Sequence, residues 1–176
     1  MKKVFFSLLV IMILFLFNDN YAQNSHDGVN PTPITASITA KGTVLSPISI
    51  TTTRDLDFGI DILPGITKAI DKVSNSGGKF SINGEAGKEV NITITAPTSL
   101  YSGTNTLPIS FSQTDAGYKV TGGTIIDFDP ANPVNANIGS DGALEIYLGG
   151  SVVPVFTQVA GDYVGTVVVV FNYTGN

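Results

Sequence analysis

From Ile34 onward the chain repeats one pattern, an apolar residue followed by a polar one, in short runs cut by glycine and asparagine. Ile34, Ala36, Ile38 and Ala40 alternate with Thr35, Ser37 and Thr39. Val90, Ile92 and Ile94 alternate with Asn91, Thr93 and Thr95. The same period returns at Phe80 and Ile82, at Leu107, Ile109 and Phe111, and at Leu144, Ile146 and Leu148. Side chains two apart share a face of an extended strand, so each run predicts a strand with one buried and one wet face. Val44, Ile48 and Ile50 carry a further strand past Pro47, and Leu56 and Phe58 lie in a short segment ending at Gly59. The breaks are Ser76-Gly77-Gly78, Asn83-Gly84, Ser102-Gly103, Gly122-Gly123 and Asp141-Gly142, which is turn chemistry. Helical signals are weak: Ile66 to Val73 scores as one turn or two, and no amphipathic run is longer. Many short strands without helical crossovers imply an all-β fold of antiparallel sheets packed as a sandwich. A closed barrel has the same periodicity and is the structural alternative.

The last strand differs. Between Tyr163 and Tyr173 the run Val167-Val168-Val169-Val170-Phe171 is apolar on both faces and demands cover on both. It reads as a central core strand, or as one whose second face or edge is covered by another molecule.

The first 22 residues have the order of a secretory signal peptide. Lys2 and Lys3 precede an apolar run from Val4 to Phe17 broken only by Ser7, and a polar close ends at Ala22. Such a run falls short of the roughly 20 residues a membrane-spanning helix needs. Residues 23–33, with Gly28, Asn30, Pro31 and Pro33, read as a flexible tether, and residues 34–176 as a single domain. An exported protein in the periplasm, at the cell surface or outside the cell is expected, with no stable membrane span.

Removing Lys2, Lys3 and Asp19 with the signal leaves 7 basic and 13 acidic side chains, a net charge of −6. That charge repels phosphate backbones, and no cluster of Lys and Arg offsets it, so nucleic acid is not an expected partner. The chain has no cysteine, which leaves packing alone to hold an exported domain and removes thiol catalysis and a lipidated N-terminal cysteine.

Catalytic chemistry finds little to stand on. The single histidine, His26, sits in the tether outside the first expected strand, so a Ser-His-Asp arrangement on the folded scaffold is not expected. Asp55 with Asp57, and Asp127 with Asp129, place two carboxylates on one face of a strand, yet no tryptophan exists to line a sugar cleft. Asp127-Phe128-Asp129-Pro130-Ala131-Asn132 gathers oxygen ligands without the spacing or closing Glu of a calcium loop. Gly77-Gly78-Lys79 and Gly87-Lys88 lack the upstream Gly and the following Ser or Thr of a phosphate loop. No enzyme, no cofactor and no metal site is expected.

Four segments carry a resemblance. Pro47-Ile48-Ser49-Ile50-Thr51-Thr52-Thr53-Arg54-Asp55-Leu56-Asp57-Phe58-Gly59 is close to the opening strand pair "P-(I/L)-x-I-x-x-x-x-x-L-x-F-G" of a bacterial exported family, domain of unknown function 4402. Phe80-Ser81-Ile82-Asn83-Gly84 followed by Val90 to Ile94, the Leu148-Gly149-Gly150 turn, and Gly161-Asp162-Tyr163-Val164-Gly165-Thr166 running into Asn172 and Tyr173 complete it. The closing segment is also similar to the ending of pilin-like secreted proteins related to spore coat protein U. The sequence departs from these in carrying Val168 and Val170 where Thr is common, and in lacking the pilin-type disulfide. The resemblance implies an antiparallel immunoglobulin-like (pilin-like) β-sandwich and supplies no active site. Phe58, Gly59, Gly161, Tyr163, Gly165 and Tyr173 are its structural motif: Phe58 plugs a strand end, and Gly161 and Gly165 flank Tyr163 so that a large aromatic reaches the sheet.

Two functions are consistent with this reading. One is a secreted cell-surface structural or adhesive protein, a fimbria-like or matrix subunit that associates with itself or with other surface proteins. In that case residues 34–40 either form the domain's own first strand or pair with a neighbour's edge, with Ile34, Ala36, Ile38 and Ala40 as the strand-exchange anchors. The alternative is a stand-alone binding module for a glycan or small ligand, using connections around Ser99 to Thr106 and Asp129 to Gly142, with Tyr101 as the best aromatic.

Overall fold

The computed structural model describes residues 34–175. The predicted signal peptide, the tether and His26 lie outside the described residues. The chain divides between Lys41 and Gly42 into two units. In the first, residues 34–41 form no strand, and Ile34 and Ile38 are fully solvent-exposed at 101% and 97%.

The second unit is all β. Its strands are β1 (Ser49–Arg54), β2 (Lys68–Ile70), β3 (Gly78–Asn83), β4 (Glu89–Thr95), β5 (Ser99–Ser102) and β6 (Asn105–Ser110). They continue with β7 (Ala116–Lys119), β8 (Ile126–Phe128), β9 (Val134–Asn137), β10 (Ala143–Leu148), β11 (Gly150–Val152) and β12 (Val168–Tyr173). Every pairing is antiparallel. The sheets run β1-β3-β10-β7-β8, β2-β11-β6-β5 and β12-β4-β9. Among the described residues no helix is long and apolar enough to cross a membrane.

The alternating runs of β3, β4, β6 and β10 bury the faces their periodicity predicts, whereas the run from Ile34 to Ala40, expected as a strand, forms none and stays exposed. β10 alternates strictly between half-buried and buried positions, and β4 does so up to the exposed Thr95 at its end. Ile82, Leu144, Ile146 and Leu148 from the five-stranded sheet meet Val90, Ile92, Ile94 and Ala136 from the three-stranded sheet in one cluster. That sheet-on-sheet contact is the sandwich. A second cluster, Phe58, Leu107, Ile109 and Val152, lies under the four-stranded sheet. Leu56 and Phe111 touch both clusters and join them. The β9–β10 connection is held by Gly139 N donating to Ala143 O at 3.0 Å, with Gly142 at φ 80°, where a side chain is disfavoured.

Four expectations are corrected. The closing strand is not central: β12 pairs with β4 alone and forms the edge of its sheet. Val169, Phe171 and Tyr173 face inward, while Val168 and Val170 remain 48% and 45% exposed. A run of five apolar residues conceals a period of two, because the outward Val positions look like inward ones. The stretch Ser99 to Thr106 is no loop but a hairpin, with Leu100 opposite Leu107 and Tyr101 opposite Thr106. The stretch Asp129 to Gly142 contains β9. Ile66 to Val73, scored as a helical turn, contains β2, whose three residues pair with β11.

Ile146→Ala should cost about 2–5 kcal/mol, as truncation of a fully buried aliphatic side chain does. Val170→Ala, on the exposed face of the edge strand, should cost no more than about 0.5 kcal/mol. Urea midpoints of the two variants check this, and equal losses would contradict the edge position of β12.

Candidate functional site

Segments 52–64 and 158–167 border a cleft of about 820 Å³ at the edge of the sandwich. Its floor is apolar. Phe80 and Leu148 come from the first core, Leu107, Ile109 and Phe58 from the second, and Leu56 bridges them. The rim is polar and acidic: Arg54, Asp55, Asp57 and Asp162. The first wall is the end of β1 and the chain that follows it, and the second lies outside the named strands. After β1, Asp57 N donates to Ser76 O at 2.8 Å, and the Asp57 carboxylate accepts from Gly59 N at 2.7 Å, which turns the chain at Gly59 (φ 77°) and drives Phe58 inward.

The opposite wall is tied to β5 at a single residue. Val164 N donates to Tyr101 O at 2.9 Å, and Val164 O accepts from Tyr101 N at 2.8 Å. In an antiparallel pair, a residue with both backbone groups on its partner is flanked by residues whose groups point away. The backbone groups of Tyr163 and Gly165 therefore face the other side, and neither residue has a backbone hydrogen bond among the described residues. Gly165 lies so close to β5 that a Cβ would come within 2.6 Å of Leu100, and one on Gly161 would meet Ser102 at 2.7 Å. The lack of a side chain, rather than a left-handed backbone, is what both positions require. Between them the Tyr163 hydroxyl donates to Val159 O at 2.6 Å and accepts from Gln158 Nε2 at 2.7 Å, while its ring packs on the second core.

Tyr173 sits at the other end of the sandwich. Its hydroxyl accepts from Glu85 N at 2.7 Å and donates to Ser46 O at 2.9 Å. Ser46 in turn donates through N and Oγ to the Glu85 carboxylate, at 3.1 and 2.6 Å, and these bonds hold that carboxyl below the usual range. The motif residues thus fall into two groups. Phe58, Gly59, Gly161, Tyr163 and Gly165 line the cleft. Tyr173 pins the chain entering β1. Ile34, Ala36, Ile38 and Ala40 lie exposed in the first unit. Alternation made the floor residues legible, but the pin of Tyr173 on Ser46 spans 127 positions and left no local signal.

The proposed chemical sites are not drawn together. Both oxygens of Asp129 accept bonds within their own turn, from Ala131 N and Asn132 Nδ2, each at 2.9 Å. Asp127 pairs with Lys72 at 3.2 Å. No group of three or more His, Asp or Glu side chains gathers among the described residues. Tyr101, half exposed on β5, stands beside Val164 rather than on a loop. A charged cluster lies on the outer face of the five-stranded sheet. There Lys79 Nζ is 2.7 Å from Glu145, Tyr147 donates to Glu145 at 2.5 Å, and the ammonium lies 5.2 Å from the Tyr147 ring centre. The hydrogen bond from Lys79 lowers the Glu145 pKa and raises that of Lys79, and burial raises that of Tyr147.

No protein family model matches the chain, and no characterised protein matches it either.

Because the Glu145 pKa lies below its ordinary 4.5, its contribution to stability is complete above that pH and is lost as pH falls through the lowered value. Glu145→Gln should destabilise by about 0.5–1 kcal/mol at pH 7. The difference from the parent protein should shrink as pH falls below 4.5 and vanish only below the lowered pKa of Glu145, as read from urea midpoints across pH.

Proposed function

We propose that this protein is an exported, non-enzymatic subunit of the cell surface, structural or adhesive, whose sandwich edge associates with other copies or with other surface proteins. The observation that carries the reading is the unfinished edge. A sandwich normally blunts or covers its edges, because unpaired N–H and C=O groups recruit other strands. Here an apolar cleft lies beside backbone at Tyr163 and Gly165 that has no hydrogen-bond partner among the described residues, and the adjoining edge strand turns Val168 and Val170 outward. Affinity from main-chain bonds and specificity from alternate side chains is the chemistry of strand addition, and it needs no reactive group. The signal-like first 22 residues, the alternation and the Gly-x-Tyr-x-Gly-Thr ending favour the immunoglobulin-like, pilin-like class of exported proteins.

A second reading takes the same cleft as a pocket for a small ligand. Its volume falls in the range that such sites occupy, about 300–1,000 Å³.

The chain from residue 23 onward, purified and followed by light scattering and electron microscopy, separates the two. Concentration-dependent multimers or filaments, with no hits on a glycan array, are the expected result. A monomer at every concentration that binds a glycan with micromolar affinity would establish the second reading instead.

A further inference from the structure

We infer that the protein docks on an electrically neutral lipid surface through two adjoining turns, Leu63–Ile66 and Val155–Gln158, which lie past the end of the β2–β11 ladder. This goes beyond association at the sandwich edge and does not depend on it.

The chain entering β2 and the chain leaving β11 stay side by side past Lys68 and Val152, where Gly65 N donates to Pro154 O at 3.2 Å. Each chain turns tightly there. Ile66 N donates to Leu63 O at 3.1 Å, with Pro64 and Gly65 (φ 76°) at the central positions that a type II turn gives to proline and glycine. Gln158 N donates to Val155 O at 3.0 Å. Gln158 Nε2 then fastens that second turn to Thr106 O at 3.0 Å and to the Tyr163 hydroxyl at 2.7 Å. A Cβ on Gly65 would fall 2.5 Å from the Phe156 ring, so the ring rests on the first turn and the two turns make one tip.

Surface turns are ordinarily built from Gly, Pro, Asn, Asp and Ser. This tip instead presents Phe156, 89% exposed, with Leu63, Ile66 and Val155 each more than half exposed. Single exposed apolar residues are ordinary, whereas a contiguous group of them marks a surface that meets a protein or a membrane.

Two observations favour lipid. The first is charge. No charged residue occurs in 62–67 or in 146–161, and the two that bracket the first turn, Asp61 and Lys68, pair with each other. The tip offers an anionic surface nothing to hold, and the overall negative charge of the chain opposes one, so the lipid it suits is zwitterionic. The second is the backbone. A polar group that enters the apolar part of a bilayer must bring its hydrogen-bond partner, because no water follows it. In the tip the N–H groups of Gly65, Ile66, Val155 and Gln158 are bonded, that of Val155 to Gln158 Oε1 at 3.4 Å, and Pro64 and Pro154 have none. Those of Leu63, Phe156 and Thr157 are left for the headgroups. Projecting side chains also suit a fluid, which needs no matching pocket.

The chain has no tryptophan, so one introduced indole reports its own surroundings. The protein from residue 23 onward keeps every strand and omits the apolar run Val4–Phe17, which would itself seek lipid. It carries either Phe156→Trp or, as control, Thr124→Trp at an exposed position beside β8. Each is mixed with vesicles of phosphatidylcholine alone, or of equal parts phosphatidylcholine and phosphatidylglycerol. With phosphatidylcholine the emission of Phe156→Trp should move to shorter wavelength and be quenched by lipid brominated in its acyl chains. That of Thr124→Trp should do neither, and the anionic lipid should bring no tighter binding. Leu63→Ser/Phe156→Ser should weaken co-sedimentation with phosphatidylcholine vesicles at least about tenfold, the loss expected when a large apolar side chain is no longer buried, with an unchanged urea midpoint. Undiminished co-sedimentation of the double variant, or equal quenching of Thr124→Trp, would overturn the inference by placing lipid contact elsewhere. A Phe156→Trp shift that grows with protein concentration without vesicles, and is not quenched by brominated lipid, would overturn it in favour of a second copy seated on the tip. No shift under either condition would overturn it outright.

Discussion

The burial of alternate side chains from β3 and β10 against those of β4 is the contact on which everything else in the molecule hangs. Ile82, Leu144, Ile146, Val90 and Ile92 are wholly inaccessible to water. Burying each contributes about 1.5–3 kcal/mol relative to leaving it exposed. There is no disulfide to share the task. The register of β3 between β1 and β10 follows from it, since a slip by one residue would turn Phe80 and Ile82 to water and bring Lys79 and Ser81 inside. The same register sets Lys79 beside Tyr147 on the outer face and so builds the Lys79–Glu145–Tyr147 cluster.

A core held this firmly can leave an edge unfinished. The two clusters are joined through Leu56 and Phe111, and Leu56 also lines the cleft. Segment 158–167 pairs with the β5 backbone only at Val164, although Gly161 and Gly165 pack tightly against Ser102 and Leu100. Order in the core and incompleteness at the edge are therefore connected. The strands that pack best belong to the middle of the sheets, and the apolar surface left over is at the margin.

Strands whose alternation is unbroken, β3, β4, β6 and β10, could be read from the sequence nearly residue by residue, because one face of each is buried and the other wet. Legibility failed where composition hid the period. Val167 to Phe171 is apolar throughout, so nothing local distinguishes an edge strand with outward valines from a central one. The Gly103 turn made Ser99 to Thr106 look like a loop, although only two residues, Gly103 and Thr104, separate β5 from β6. The cleft was illegible for a different reason. Its floor is assembled from Phe58, Phe80, Leu107 and Leu148, which lie on four separate segments, and its wall at 158–167 has no periodicity at all. Of the motif residues, Tyr163 was legible as a core aromatic, but the hydrogen bonds of its hydroxyl to Val159 and Gln158 were not.

Amide hydrogen exchange on the dilute monomer, read residue by residue, tests most directly the claim of a closed core with an open edge. Amides of Ile82, Ile92 and Ile146 should exchange only through global unfolding, while those of Tyr163 and Gly165 should exchange at rates near those of an unstructured peptide. Equal, strong protection at Tyr163 and Gly165 in the monomer would mean that the edge is already covered, and the account of an open sandwich would be wrong.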